Sequence, residues 1–358
     1  MKMNKQRIAV FAALFFFSGL SQAKVKTYGS VQAEYTIEDR DGLSSEQGVD
    51  DNLRSKLGFK VTEKIGRGFK AAAVIEVQVN SAGDRGVNNR QMWVGLSHKK
   101  LGFLGAGALH SPYKNSGAKI DPFWFTALES RGAGGMSTAV GSANRNVNGG
   151  VNGILGHTGF IQSGLFYRSP AFFHTRLEIG LSPDEKANGV VDGESAGSSD
   201  GDDNDYIIAL TYEKDDLWLF ATYAKNNVEN VDDEVAYKIA AQYKWGQHTF
   251  TAQREWVKNA FALDGGRLIT GSADDNFSSV ATGKDGKFWF LGYQYKLGNN
   301  IFVVQAGEND SEIDSDYYAV GMIHKFSALT KMFAGFTASE NSPLRDRQAF
   351  SIGLRKDF

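Results

Sequence analysis

Cationic side chains recur at alternate positions near residue 54. Arg54, Lys56 and Lys60 share one parity along the chain. The residues of the opposite parity are apolar: Leu53, Leu57, Phe59 and Val61. Because successive side chains of a strand point to opposite faces, this spacing predicts a strand with one cationic and one apolar face. A cationic face that borders water can select ions by charge, and this chemistry needs no covalent step.

Residues that often support catalysis or metal binding are present but scattered. The chain has no cysteine, which excludes disulfides and thiolate metal sites. No histidine belongs to an H-E-x-x-H pair, and no phosphate-binding P-loop is present. The six histidines are His98, His110, His157, His174, His248 and His324. We therefore expect neither an enzyme nor a protein that holds a metal or another cofactor.

Acidic residues concentrate in the segment 184–205, which holds eight of them. The stretch from Asp200 to Asp205 begins like a calcium-binding loop. Its sixth position is Asp205 rather than glycine and its twelfth is Thr211 rather than glutamate, so an EF-hand is excluded. Two interpretations remain open. A solvated, self-repelling loop is favoured over a site where divalent cations bridge the loop to anionic lipid head groups.

Strict alternation of apolar and polar residues dominates the chain after residue 24. In the stretch 235–245, odd-numbered residues are apolar or aromatic, whereas Lys238, Gln242 and Lys244 lie among the even-numbered ones. This period of two predicts strands with one apolar and one wet face. Sixteen such strands can be assigned, including 53–64 and 89–98, and short connections alternate with long ones. The pattern predicts an all-β fold, a sixteen-stranded antiparallel transmembrane β-barrel that encloses water.

The first 23 residues have the layout of a secretory signal peptide. Lys2, Lys5 and Arg7 precede an apolar run at 8–20, which ends in Ser-Gln-Ala. A run of about thirteen residues is shorter than the roughly twenty that a spanning helix needs. We expect cleavage after Ala23, so that residues 1–23 are the signal peptide and residues 24–358 form one barrel domain. Since 39 basic residues nearly balance 41 acidic ones, no basic surplus indicates nucleic acid as a partner.

Five short motifs, in order from the first strand to the last, are similar to those of the Gram-negative general porins. Their family patterns are V-x-L-Y-G, S-R-L-G-F-K-G, G-L-K-A, R-Q-A-Y-V-G-L and G-L-R-H-R-F. In this chain they correspond to Val25–Gly29, Leu53–Lys60, Gly68–Ala71, Asn89–Leu96 and Gly353–Phe358. The resemblance covers the whole chain after residue 23. It implies an outer-membrane homotrimer, surrounded by lipid, that passes small hydrophilic solutes and ions.

The resemblance also implies a constriction. In the family the third outer loop folds into the barrel, and here that loop is about 114–150. Its acids, Asp121 and Glu129, would face a row of cations on the wall. The implied wall positions are Lys56, Arg90 and Arg145, and Arg54 lies on the same face as Lys56. Crossing acidic and basic groups would set up a field that favours polar or charged solutes. Lys60, near the inner rim, is expected only to be solvated.

Two other functions remain as alternatives. A substrate-specific channel for sugars or anions would use Phe123, Trp124 and Phe125 as a sliding surface. An outer-membrane barrel enzyme would need a Ser–His or Asp–His pair at one rim, and this is the less favoured alternative. The sequence alone does not indicate the sign of ion selectivity.

Overall fold

The computed structural model describes most of the chain after residue 22. The described residues are 23–79, 87–131, 133–137, 157, 159–182, 204–226, 233–261, 284–311, 314–342 and 345–358. The predicted signal peptide, residue 145 and nearly all of the acidic segment 184–205 lie outside these ranges. In the described part of the chain, no helix is long and apolar enough to cross a membrane.

Seventeen strands and one helix make up the described fold. In chain order the strands, β1 to β17, are Lys24–Arg40, Glu46–Asp50, Lys56–Gly66, Phe69–Val79, Val87–His98, Gly102–His110, Phe160–Arg168, Thr175–Ser182, Asp205–Lys214, Leu217–Asn226, Glu234–Trp245, His248–Phe261, Lys284–Leu297, Asn300–Ser311, Asp314–Ser327, Thr330–Ser342 and Arg347–Asp357. The helix, α1, is Pro112–Ile120, and it begins two residues before the predicted third outer loop at 114–150. All strand pairs are antiparallel, and β1 pairs with β17 to close the sheet.

The strands β2 and β3 are two halves of one stave, because both pair with β1. The closed barrel therefore has the sixteen staves that the sequence predicts. The predicted second strand, 53–64, corresponds to β3, which begins three residues later at Lys56. Asn52 and Leu53 have φ of 47° and 57°, and the Asp51 carboxylate accepts hydrogen bonds from the Leu53 and Ser55 amides at 3.0 and 3.1 Å. This local turn interrupts the stave, and Leu53 packs inside the barrel instead of facing outward.

The alternation predicted from the sequence separates the two faces of the wall. On β11, Tyr237, Ile239 and Tyr243 are exposed on the outer face, whereas Lys238 and Gln242 are buried on the inner face. The same division holds on β17, where Phe350, Ile352 and Leu354 point outward. An apolar outer face and a polar inner face suit a barrel that contacts lipid outside and water inside.

The described residues that follow β6 lie inside the barrel. We call residues 111–137 the inner segment. Ser111 caps α1 by accepting a hydrogen bond from the Lys114 amide at 3.1 Å, and Pro112 occupies the first turn. After Ile120 the chain continues without regular structure, and nearly all of its described side chains are buried against inward-facing residues of the wall.

The barrel closes where the last residue meets the first strand. Gly29 and Phe358 exchange backbone hydrogen bonds of 3.0 and 3.1 Å. The Phe358 ring lies over Gly29 so closely that a Cβ atom at position 29 would be 2.4 Å from the ring and 2.6 Å from the Lys56 carbonyl oxygen. Glycine is therefore required at the seam, since the backbone oxygen cannot move aside.

We expect Gly29→Val to destabilise the folded barrel, because the added atoms have no space between Phe358 and Lys56. Overpacking of this kind costs about 1–3 kcal/mol or more. Ala33→Val is the matched control, since Ala33 is exposed on the same face of β1. Thermal unfolding in detergent measures the effect. Equal melting temperatures for the two variants would contradict the packing assigned to the seam.

Candidate functional site

Two of the predicted cations meet on the wall around one carboxylate. Lys56 on β3 and Arg90 on β5 contact Glu76 on β4, with N–O distances of 2.8 and 2.9 Å. The Glu76 side chain is fully buried between them. Because a buried carboxylate is stable only when it is paired, Glu76 holds both cations in place on the inner face.

A β-bulge decides the orientation of Arg90. Glu76 pairs with Gln91, but the next residue of β4, Val77, pairs with Asn89, so Arg90 is the extra residue. Its neighbour of the same parity, Met92, is 51% exposed on the outer face, whereas Arg90 is 8% exposed. The bulge thus turns Arg90 inward. Simple alternation cannot predict this orientation, because it assumes an unbroken register.

Arg54 reaches the same region from the turn that interrupts the second stave. Its guanidinium lies 3.3 Å from a carboxylate oxygen of Asp357, which faces inward on β17. We refer to Arg54, Lys56 and Arg90 together as the cationic wall. The fourth predicted member, Arg145, lies outside the described residues.

Cationic side chains from the wall and from the inner segment lie close to the Phe125 ring. The guanidinium carbons of Arg54 and Arg90 lie 6.0 and 5.4 Å from its centroid. Lys114 Nζ and the Arg131 guanidinium lie at 6.0 and 5.0 Å. The negative face of an aromatic ring attracts cations at these distances. Lys114 is a member of this group that the sequence did not single out, since its helix was not resolved from the loop by pattern.

The two predicted acids do not face the cationic wall. Asp121 is 1% exposed and accepts hydrogen bonds from the Phe123 and Ser130 amides at 2.8 and 3.0 Å, the Ser130 hydroxyl at 3.0 Å and the Gln305 amide at 2.8 Å. Glu129 accepts from the Phe125 amide at 2.7 Å and pairs with Arg131 at 2.7 Å. The irregular chain leaves backbone N–H groups without partners in a helix or sheet, and both carboxylates turn toward these groups within the inner segment. Both acids therefore help to shape the inner segment itself.

The middle of the inner segment is bonded to β1 and β17. Gln32 donates to the Phe125 carbonyl at 2.7 Å, and Glu34 accepts from the Ala127 amide at 2.8 Å. Arg355 donates to the Trp124 carbonyl at 3.2 Å. These contacts pair polar backbone groups that have no partner in a helix or sheet. Phe123, Trp124 and Phe125 are buried at 0%, 7% and 5% exposure, so they pack against the protein and do not form the sliding surface of a substrate-specific channel.

The start of the inner segment is bonded to β11 and β12. Lys238 donates to the Tyr113 carbonyl at 3.1 Å and lies 2.8 Å from His157 Nε2. Because ammonium only donates, His157 Nε2 accepts, and its Nδ1 donates to the Ser137 carbonyl at 2.8 Å. Burial, reinforced by Lys238, holds the pKa of His157 well below its ordinary value. His157 is thus a neutral structural residue, and among the described residues no cluster of metal-binding side chains occurs.

Beside α1, a water-accessible cavity of about 460 Å³ remains inside the barrel. We call it the inner vestibule. It extends from α1 toward the short connections, and none of its described lining residues is acidic. Its lining includes the side chains of Lys60, Lys70, Trp93, Phe103, Phe166 and Arg168. Open space therefore borders cations, whereas the carboxylates of the inner segment are turned away from it.

Comparison with known proteins places this geometry in context. Residues 9–344 match the family described as Gram-negative porin. The major outer membrane protein P.IB of Neisseria gonorrhoeae is 26% identical over 383 residues, covering 90% of this chain and all of that protein. The corresponding protein of Neisseria lactamica is 26% identical over 368 residues, with the same coverage.

Solved structures share the fold. The anion-selective porin from Comamonas acidovorans superposes with a TM-score of 0.70 at 18% identity, covering 94% of this chain and all of that one. Salmonella typhi OmpF, in a complex with daunomycin, superposes with a TM-score of 0.63 at 14% identity, covering 94% and 98% of the two chains.

We expect a pH-dependent contribution to stability from Asp121, because burial raises the pKa of its carboxyl group from 3.8 to about 6. The folded chain then binds this proton at a higher pH than the unfolded chain. Stability from this group is therefore greatest at low pH and declines as pH rises from about 4 to about 6. The difference corresponds to roughly 3 kcal/mol at most.

The measurement is urea unfolding in detergent at pH 7 and pH 4. Relative to Asp121→Asn, the unsubstituted protein should gain stability as the pH falls, because asparagine does not titrate. Asp216→Asn, in an exposed turn, controls for the titration of other carboxylates. A difference between the unsubstituted protein and Asp121→Asn that is constant with pH would show that Asp121 titrates normally.

Proposed function

Because this chain belongs to the Gram-negative porin family, and forms a water-filled channel for passive diffusion of small hydrophilic solutes and ions across the outer membrane, we propose that its constriction favours anions over cations. One observation carries the proposal. The carboxylates of Asp121 and Glu129 are directed into the inner segment, whereas Arg54, Lys56 and Arg90 gather on the facing wall.

Among the described residues, the charges around the cationic wall leave an excess of cations. Arg54, Lys56, Arg90 and Lys114 cluster with two carboxylates, Glu76 and Asp357. Since the Debye length is about 8 Å at physiological salt, an ion in the constriction responds mainly to these nearby groups. The inner vestibule continues the excess with Lys60 and Lys70. An anion therefore meets favourable potential along this side of the lumen, and a cation meets repulsion.

The fold is compatible with this selectivity. The structurally similar porin from Comamonas acidovorans is described as anion-selective. At 18% identity the similarity extends to the fold alone, so the proposal depends on the residues of this chain. For Arg145 a place on the same wall stays a prediction from the sequence.

Transport by this channel is proposed to be diffusion without a covalent step. A serine-nucleophile spacing, G-x-S-x-G, occurs at Gly193–Gly197 in the acidic connection between β8 and β9. That spacing alone does not make a catalytic site, and it lies outside the described residues. We also propose that residues 1–23 are removed as a signal peptide, which agrees with the start of β1 at Lys24.

Neutralising the wall should change ion preference. The double variant Lys56→Gln, Arg90→Gln removes the two cationic side chains that pair with Glu76. We therefore expect its reversal potential in a potassium chloride gradient to shift toward that of a cation-preferring channel. Lys99→Gln combined with Lys100→Gln removes the same charge at an exposed turn and serves as the control.

Asp121→Asn combined with Glu129→Gln should shift the reversal potential less than the wall pair, since these acids are already bonded within the inner segment. Planar-bilayer recordings of the four channels give the result. Anion preference set by the wall would be refuted if the unsubstituted channel has the reversal potential of a cation-preferring channel. It would also be refuted if the wall and turn variants shift the reversal potential equally.

We propose that the chain assembles as a homotrimer through the outer faces of its early strands. Val31 and Ala33 on β1 are exposed, and Ala71 and Ala73 on β4 are small residues facing outward. Small side chains allow close approach of two walls. Gly29 has the same outward parity as Val31 and Ala33, but the Phe358 ring covers it.

Mass photometry in mild detergent should show a particle of three chains. Ala73→Trp should convert it to monomers, because the indole would separate the packed walls. Ala252→Trp, a small-to-large change on the outer face of β12, should leave the trimer intact. Monomers for the unsubstituted chain, or identical behaviour of the two variants, would refute this assembly.

A further inference from the structure

Large apolar side chains face the lumen on one sector of the wall. Trp93 on β5, Phe103 on β6 and Phe166 on β7 share the inward parity with polar neighbours. Trp93 and Phe103 meet edge to face with centroids 5.4 Å apart, and Phe103 and Phe166 are 6.2 Å apart. Phe166 is buried in a hydrophobic cluster that includes Tyr113 of α1. Trp93 and Phe103 lie at the edge of this cluster and are only partly buried, so their rings add apolar surface to an inner face that is ordinarily polar.

The backbone provides space for this aromatic surface. Gly95 and Gly105 are paired across β5 and β6. A Cβ atom at either position would lie 2.7–2.8 Å from the Phe103 ring. The two glycines therefore let Phe103 lie flat against the wall. Any larger residue there would push the ring into the lumen, so the sequence of both strands is adapted to the ring.

Cations border the same surface. Across the sheet, Lys70 is paired with Ser97, Ser97 with Phe103, and Phe103 with Arg168. The aromatic side chain thus lies in a row between an ammonium and a guanidinium. Lys60 and Trp93 lie on the two strands that flank β4, and both are paired with Val74 of β4. Arg168 is held over the Phe166 ring at 5.3 Å and paired with Glu178 at 2.6 Å.

The ammonium groups are available to a solute. Lys60 and Lys70 are exposed to the lumen, and neither is ion-paired within the described part of the chain. All of these residues line the inner vestibule, whose volume of about 460 Å³ exceeds that of a small aromatic molecule. Flat apolar surface and uncompensated positive charge therefore occur together in one open cavity.

From this juxtaposition we propose that the inner vestibule is a binding subsite for aromatic carboxylates, in which the ring of the solute stacks on Trp93 and Phe103 and its carboxylate pairs with Lys60 or Lys70. A ring gains dispersion and desolvation energy on the aromatic surface, and the carboxylate gains charge-assisted hydrogen bonds. A simple inorganic anion would pass through the same cavity without the dispersion and desolvation energy that a ring gains on the aromatic surface. The inference rests on the proposed anion preference and adds retention of one class of anion.

Single-channel recording in planar bilayers tests the subsite with benzoate as the probe. Benzoate should reduce the channel conductance in a saturable manner. Acetate, which lacks the ring, and benzyl alcohol, which lacks the charge, should require at least tenfold higher concentrations. Trp93→Leu, Phe103→Leu and Lys70→Gln should each raise the half-blocking concentration of benzoate at least fivefold.

Phe59→Leu is the matched control, because Phe59 is an exposed ring on the outer face of β3 and should leave the block unchanged. If Phe103→Leu does not fold, the Trp93→Leu variant alone tests the subsite, because it leaves the Phe103 ring in place against Gly95 and Gly105. The subsite would be overturned if benzoate blocks Trp93→Leu at the same half-blocking concentration as the unsubstituted channel. Equal potency of benzoate and acetate would also overturn it.

The reversal potential in potassium chloride, without benzoate, separates the two proposals. Anion preference without saturable benzoate block would remove the subsite and leave the proposed function standing. Cation preference would remove the proposed function and, with it, the electrostatic basis of the subsite.

Discussion

Backbone pairing is the constraint on which this molecule depends. In the hydrocarbon of a membrane no water is present to satisfy an N–H or C=O group, so a sheet can cross only if it has no free edge. Here the constraint is met where β17 returns to β1 and Phe358 seals against Gly29. The apolar outer face and the polar inner face follow from this closure, since each strand then separates lipid from water.

Closure creates a second requirement inside the barrel. The inner segment leaves regular structure after Ile120, and its backbone groups need partners from the wall. Gln32, Glu34 and Arg355 supply them on one side. Asp121 and Glu129 supply others from within the segment. The same bonds withdraw the carboxylates of the segment from the lumen, and this is why the proposed function assigns the charge that solutes meet to the cationic wall.

The fold could be predicted from the sequence because a period of two is a local property that each strand displays by itself. The number of staves and the directions of most side chains follow from it. The site was harder to predict. The turn at Asn52 and Leu53 depends on hydrogen bonds to one Asp51 carboxylate, and the inward direction of Arg90 depends on a shift of register. Carboxylates in an irregular segment carry no periodicity, so the partners of Asp121 could be found only in three dimensions.

The bulge at Arg90 has a consequence for how this gene can change. Upstream of it β5 has one inside–outside phase, and downstream it has the other. An in-frame loss of the Asn89 codon would place Arg90 opposite Val77, restore an unbroken register and carry the guanidinium to the lipid face, at a cost of about 2–4 kcal/mol near the bilayer midplane. A single-residue deletion would there be more harmful than most substitutions, whereas the connections between strands tolerate length variation. The number of residues on each side of the bulge thus decides which side chains face the lumen, independently of what those residues are.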